Sequence, residues 1–334
     1  MNNLFDHTKY RESLFDFNIS GFTRKALQLF AFQYELNPVY RQYCDSLGID
    51  PSGVDKLASI PFLPISFFKS HDVRTGVFDP ELIFESSGTT GTVNSRHAVK
   101  DAEIYRQSFL NGFRKFYGEP SGWTIIGLLP SYLERKNSSL VVMVDELVKL
   151  SGHPKSGFYL YDHERLHQNL EQLESAKQKT LLIGVTYALL DFAEKYPIHL
   201  DHTIIMETGG MKGRREEMTR SEVHEILMRS FNIDQVHSEY GMTELLSQGY
   251  SSGEGLFHCT DTMKILIREE DDPLEVHEPG SEQRGIINVI DLANIWSSAF
   301  IATEDAGIVY EDGSFNITGR IDASDIRGCS LMVV

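Results

Sequence analysis

A chain of 334 residues, 41% of them hydrophobic and 24% charged, has the make-up of a water-soluble globular protein, with length for about two domain-sized units. Its formal charge of −17 argues against nucleic acid or an anionic membrane surface as a partner, because polyanions are held by basic stripes. Three cysteines, Cys44, Cys259 and Cys329, make no disulfide framework. With no leader pattern at Met1–His7 and no apolar run near the roughly 20 residues of a membrane span, the expectation is a cytoplasmic protein in a reducing compartment.

Taken in chain order, residues 1–80 read as a mainly helical segment. Ala26, Leu27, Phe30, Ala31 and Tyr34 recur at helical spacing, and Asn37-Pro38 stops that helix. Ile60–Lys69, with two prolines, is expected to be extended. Residues 81–250 alternate strands with helices: strands at Leu82–Glu85, Thr124–Leu129, Thr180–Val185, Thr203–Met206 and Gln235–His237, and helices at Asp101–Phe116, Ser138–Leu150, Tyr187–Tyr196 and Arg215–Phe231. Strands joined through helices imply crossovers, hence an α/β core whose largely parallel sheet is covered by helices. Residues 251–334 lose the helices. Phe257, Met263–Arg268, Gly285–Leu292, Gly307–Tyr310 and Ser314–Thr318 predict a small β-rich subdomain with a short tail.

The segment Phe84-Glu85-Ser86-Ser87-Gly88-Thr89-Thr90-Gly91-Thr92 carries the strongest chemical signal. Glycines let backbone amides turn toward an anion, and hydroxyls add compact donors, a composition that suits a phosphate cradle as well as a polar surface turn. It is neither a Walker loop nor a dinucleotide fingerprint. Glu207-Thr208-Gly209-Gly210-Met211 follows a strand. His237-Ser238-Glu239 leads into Tyr240-Gly241-Met242-Thr243-Glu244, where Glu244 can be a cation ligand or merely a carboxylate at a helix start. Lys212, Arg214, Arg215 and Arg220 interleave with Glu216 and Glu217 and read as a solvated helix start.

The string Ser86–Gly91 resembles the nucleotide loop of adenylate-forming enzymes, and Tyr240–Glu244 resembles their aromatic-Gly-x-Thr-Glu segment. The resemblance implies that Ser86, Ser87, Gly88, Thr89, Thr90, Gly91 and Thr92 cradle phosphate, while Gly209, Gly210, Met211, Ser238, Tyr240, Gly241 and Met242 border the nucleotide. It implies that Thr243 meets the α-phosphate and Glu244 holds Mg²⁺. Ala302–Gly307 stands where the class has Thr-Gly-Asp, so Asp305 is expected to hold the ribose, with Glu304 in place of the usual glycine. Gly319-Arg320-Ile321-Asp322 matches the hinge whose arginine, here Arg320, contacts ribose or phosphate. Gly88, Glu244 and Asp305 are thereby expected to converge on one ATP.

Two departures narrow the class. The usual lysine after the loop is missing, and Arg96 is the candidate to replace it, although a guanidinium fork is not a drop-in for an ammonium. The further domain that usually follows the hinge is also expected to be absent. Ile60–Pro64, Phe67–Lys69, Leu128–Arg135, Asn137–Leu140, Met143–Asp145 and Asp325–Leu331 resemble the acyl-protein synthetases of the LuxE type. That resemblance implies ATP-dependent activation of a carboxylic acid, fatty or aryl, and transfer of the acyl group to Cys329 or to the thiol of an acceptor or reductase protein. Acyl-CoA ligation with a helper protein, or a nucleotide-binding scaffold without turnover, are the competing readings. Cys44 and Cys259 read as packing residues.

Overall fold

The computed structural model describes residues 5–16, 21–86, 93–129, 137–209, 218–272 and 274–321. The chain divides into two compact units, Met1–Phe78 with Asp261–Val334, and Asp79–Thr260.

The first unit opens with α1 (His7–Glu12), α2 (Phe22–Leu36) and α3 (Pro38–Ser46). The buried stripe of α2 runs through Phe22, Ala26, Leu29, Phe30 and Gln33. It is rotated from the predicted one: Ala26 and Phe30 are inside, but Ala31 faces solvent. Asn37 both ends α2 and starts α3, because its side chain accepts from the Tyr40 N–H while Pro38 takes the first helical position, where no N–H is needed. Ile60–Lys69 departs from the extended expectation at its end. It runs extended to the short strand β1 (Leu63–Pro64), but Phe67–Ser70, beyond the last proline, turns into α4 and buries Phe68.

The second unit begins with the hairpin β2 (Leu82–Glu85) and β3 (Arg96–Val99) and the helix α5 (Ala102–Tyr117). There follow β4 (Thr124–Leu128), α6 (Ser139–Ser151), β5 (Gly157–Phe158), α7 (His163–Ser175), β6 (Thr180–Val185), α8 (Thr186–Lys195), β7 (Thr203–Thr208), α9 (Arg220–Phe231) and β8 (His237–Tyr240). Strands β9 (Gly249–Ser251) and β10 (Leu256–Cys259) complete it. The sheet order is β10-β9-β8-β7-β6-β4-β5. From β8 to β5 every neighbour is parallel, whereas β9 and β10 run antiparallel. All six residues of β6 are buried, as expected of a strand with helices on both faces. Helix α9 starts at Arg220 with a capping box between Thr219 and Glu222.

The chain then returns to the first unit as β11 (Met263–Arg268), β12 (Val276–His277), β13 (Gln283–Asp291), β14 (Phe300–Val309) and β15 (Phe315–Arg320), paired antiparallel in the order β12-β11-β13-β14-β15. Strand β1 pairs parallel with β14, Leu63 opposite Ile301. The N-terminal helices pack on this sheet: Tyr40 stacks on Phe300 at 6.1 Å between ring centres, and Phe30 and Phe62 meet Phe300 edge-on. Gln33 is fully buried and serves three backbone groups, donating to the carbonyls of Asn294 (2.8 Å) and Ile295 (3.1 Å) and accepting from the Ala299 N–H (2.9 Å). Gln33→Leu, similar in size, leaves those groups buried and unpaired, each at a cost of about 1–3 kcal/mol. The expected result is a loss of roughly 3 kcal/mol in urea denaturation.

Candidate nucleotide site at the ends of the parallel strands

In an open parallel sheet the carboxyl ends of the strands share one edge, and ligands bind there because the following loops all emerge on that side. In the second unit this edge is formed by the ends of β4, β6, β7 and β8. Among the residues expected at the site, Ser87, Gly88, Thr89, Thr90, Gly91, Thr92, Gly210, Met211 and Cys329 lie outside the described residues.

Strand β7 ends in Glu207-Thr208, and Gly209 begins the loop that follows. The Glu207 carboxylate is buried, and three neighbours converge on it: Arg220 at 3.3 Å, His224 at 3.7 Å and the Thr186 hydroxyl, which donates at 3.1 Å. Burial alone would raise its pKa, but hydrogen bonding and charge from His224, Arg220 and Ser238 win and hold it below the ordinary value. Thr186 lies within hydrogen-bonding distance of the Gly209 carbonyl as well, at 2.8 Å, so the first residue of α8, directly after β6, is tied to the start of the loop after β7. Gly209 has φ +69°, the left-handed region that favours glycine. The Arg220 guanidinium also sits 5.0 Å from the centre of the Phe257 ring.

One strand over, Glu239 is buried too, but among the described residues no cation pairs with it. The Thr208 hydroxyl donates to its Oε2 at 2.6 Å, and its surroundings are the Glu207 charge and the phenols of Tyr105, Tyr117 and Tyr250. Burial and the Glu207 charge push its pKa up to about 7 in spite of the Thr208 hydrogen bond. The other carboxylate oxygen fills the space beside Gly241: a Cβ there would come within 2.4 Å of Oε1. A side chain at 241 would therefore force the Glu239 carboxylate to move.

Beyond it, Tyr240 is buried with its ring 6.0 Å from that of Phe257, Met242 accepts from the Leu245 N–H, and Glu244 is only 4% exposed. His97 of β3, also buried, places Nδ1 2.8 Å from the Thr243 carbonyl oxygen. A carbonyl only accepts, so Nδ1 carries the proton and donates. This bond joins the β2–β3 hairpin to the turn with Thr243 and Glu244. At the loop end of the hairpin the Ser86 N–H donates to the Ser95 carbonyl (3.1 Å) and the Ser95 N–H to the Ser86 hydroxyl (2.9 Å). Ser86, Ser238, Tyr240, Gly241, Met242, Thr243 and Glu244 thus belong to one connected framework with Gly209. Arg96, the candidate for the missing lysine, is largely exposed and pairs with Glu85 across the hairpin at 3.4 Å. His237 lies beside the Tyr117 hydroxyl at 3.1 Å, and burial drives its pKa down to about 4, so it is a neutral packing residue near pH 7.

Asp305 and Arg320 belong to the first unit, where they stand directly opposite each other on β14 and β15. The Asp305 N–H donates to the Thr303 hydroxyl at 3.1 Å. Arg320 reaches Glu304 at 3.0 Å, so the residue that replaces the usual glycine pairs with the hinge arginine. Among the described residues no group of three or more His, Cys, Asp or Glu is arranged to hold a metal by protein ligands alone. A single buried carboxylate such as Glu244 fits a Mg²⁺ that takes its other ligands from phosphate and water. Cys44 is buried, its thiol pushed up to about 12, and Cys259 is half-buried. No described helix is long and apolar enough to cross a membrane.

The family model for "Acyl-protein synthetase, LuxE" matches residues 16–334. Two relatives, each named long-chain-fatty-acid–luciferin-component ligase, are similar over most of their length. The one from Aliivibrio fischeri is 24% identical over 91% of this chain and 85% of its own, and the one from Vibrio harveyi is 23% identical over 90% and 84%. Among solved structures, an open conformation of 2-hydroxyisobutyryl-CoA ligase in complex with 2-HIB-AMP and CoA superposes with a TM-score of 0.65 at 14% identity, over 90% of this chain and 69% of that one. ATP-bound MatB from Rhodopseudomonas palustris gives 0.52 at 15% identity over 74% of this chain, which spans about half of MatB's length (50%). These likenesses give the fold of adenylate-forming enzymes.

Because the folded protein binds the Glu239 proton more tightly than the unfolded chain does, its contribution is full below the ordinary value of 4.5 and is lost as pH rises through about 7. Glu239→Gln keeps the shape and removes the titration. Thermal melts from roughly pH 4 to 8 are expected to show the variant gaining on the parent as pH rises. A constant difference between the two proteins would contradict the assignment.

Proposed function

The chain belongs to the LuxE acyl-protein synthetase family, and from this we propose that it uses ATP to activate a long-chain fatty acid as its acyl-adenylate and then passes the acyl group to a cysteine thiol. The observation that carries the reading is the extent of the match, which runs through residue 334 and so includes the stretch around Cys329 as well as the strand-edge framework. The names of the two relatives support a fatty acid over an aryl acid as the substrate.

In the first step a carboxylate oxygen of the acid attacks the α-phosphorus of ATP. The bond from that phosphorus to the bridging oxygen breaks, and pyrophosphate leaves. The step spreads negative charge over phosphate oxygens, so fixed donors supply most of what the protein can contribute. Backbone amides and hydroxyls of Ser86–Thr92 hold the phosphate tail, and the Thr243 hydroxyl meets the α-phosphate. The His97 bond to the Thr243 carbonyl keeps that turn from shifting. Tyr240, with Gly209, Gly210, Met211, Ser238, Gly241 and Met242, borders the base, Asp305 accepts from the ribose hydroxyls, and Arg320 lies beside Asp305. Glu244 would hold a Mg²⁺ that neutralises phosphate charge.

In the second step the sulfur of Cys329 attacks the acyl carbon of the mixed anhydride. Its proton passes to solvent, the carbon–oxygen bond to phosphate breaks, and AMP leaves with the acyl group now a thioester. A thiolate suits an activated acyl carbon because it is strongly nucleophilic near neutral pH. A further protein that takes the acyl group from Cys329 completes the reading.

Fatty-acid-dependent exchange of labelled pyrophosphate into ATP tests the first step. Exchange is expected with long-chain acids, and its absence across a wide acid panel would count against the proposal. Glu244→Gln is expected to lower the exchange rate on the order of a hundredfold. Cys329→Ser is expected to retain exchange while losing the hydroxylamine-labile label that radioactive fatty acid leaves on the protein. A label undiminished in Cys329→Ser would place the acceptor elsewhere.

A further inference from the structure

The ladder between β13 and β14 is broken at one place. Ile286 stands opposite Ala306 and Asn288 opposite Ala302, so Thr303, Glu304 and Asp305 together face Ile287 alone. Two extra residues on β14 push its backbone out of register, as bulges do where a strand must re-aim a side chain. The peptide groups in such a bulge lose their strand partners and need others.

Side chains supply them. The guanidinium of Arg268, at the end of β11, crosses beneath β13 and donates from Nη2 to the Thr303 carbonyl at 2.6 Å. From Nη1 it donates to Asn288 Oδ1 at 2.7 Å and to the Ile287 carbonyl at 3.3 Å. The Thr303 hydroxyl donates to the same Ile287 carbonyl at 2.8 Å and accepts from the Asp305 N–H at 3.1 Å. Asn288 is fully buried, and its Nδ2 has no hydrogen-bond partner among the described residues, so its amide is turned for the guanidinium at the expense of its own donors. Gly285 lets β11 approach: a Cβ at that position would lie 2.4 Å from the Arg268 carbonyl oxygen.

We propose that Arg268 is a positioning residue for nucleotide binding: its guanidinium replaces the missing ladder bonds of the Thr303–Asp305 bulge and so fixes the Asp305 carboxylate in the direction that accepts the ribose hydroxyls. The inference rests on the ribose role given to Asp305 above. Arg suits the place because its planar fork reaches Asn288 and the Thr303 carbonyl together, which the point charge of a lysine does not.

The test compares ATP with 2′,3′-dideoxy-ATP in fatty-acid-dependent pyrophosphate exchange, using the full chain. The parent enzyme is expected to favour ATP by about tenfold or more in kcat/KM, since hydrogen bonds to a charged carboxylate are at stake. Asp305→Asn is expected to reduce that preference. If the parent shows no preference, or Asp305→Asn keeps it in full, the ribose role of Asp305 falls and the proposal with it. With those controls met, Arg268→Gln is expected to bring the ratio toward one, chiefly through KM for ATP, while exchange with the dideoxy nucleotide changes little. Should Arg268→Gln fail to fold, Arg268→Lys, which keeps charge and stem, is expected to lose part of the preference. A correctly folded Arg268 variant that retains the parent's ratio, or that loses activity equally with both nucleotides, would overturn the proposal, because a purely structural role cannot read the ribose hydroxyls.

Discussion

Two carboxylates buried at adjacent strand ends impose the condition that the rest of the second unit's site obeys. Glu207 and Glu239 cannot both be ionised in a poorly solvated place unless a cation stands beside each, and among the described residues a guanidinium, that of Arg220, stands beside Glu207 alone. Arg220 and His224, both on α9, serve Glu207, so the angle at which α9 packs on the sheet is part of keeping that charge. Glu239 meets a hydroxyl and phenols instead and keeps its proton to higher pH. The loops that emerge from β7 and β8 therefore begin from anchored ends: Thr186 holds Gly209, Thr208 holds Glu239, and the Glu239 carboxylate packs against Gly241.

Much of the second unit is legible in the sequence because its signals are local. Short apolar runs between amphipathic helices give β2, β6 and the parallel core, and β2 and β6 fall at the predicted residues. Strand β8 lies two to three residues later than the run Gln235–His237 suggests, since His237, Ser238 and Glu239 are polar side chains buried by partners that come from other elements. Such polar burial leaves no trace in hydrophobic periodicity. The same reasoning hides His97: a lone histidine on a short strand carries no pattern, and its meaning lies in a carbonyl 146 residues away.

Strand β14 shows the converse. The segment Ala302–Gly307 resembles a binding motif and meets a predicted strand only at Gly307, yet it is the interior of a ten-residue strand with a bulge in it. The departure at Glu304 finds its reason there, in the pairing with Arg320 across to β15. Gly307 completes the arrangement, since a Cβ at that position would come within 2.5 Å of the Asn316 carbonyl. Arg268 lies outside every motif, because what it supports is a gap in a ladder, and gaps appear only when strands are paired.

The division of the chain has a bearing on how it is made. Met1–Phe78 has its packing partners in Asp261–Val334, with the whole of Asp79–Thr260 between them. A ribosome delivers the amino end first, and domains tend to fold as their last element emerges. The surfaces of Phe30, Tyr40 and Phe62 that later close on Phe300 must therefore wait, uncovered, while more than half of the polypeptide is translated. The inserted middle has all of its strands within one continuous stretch and can mature during that wait. Synthesis thus passes through a stage in which a finished core trails a sticky, unfinished leader, and holdase chaperones have their natural target there.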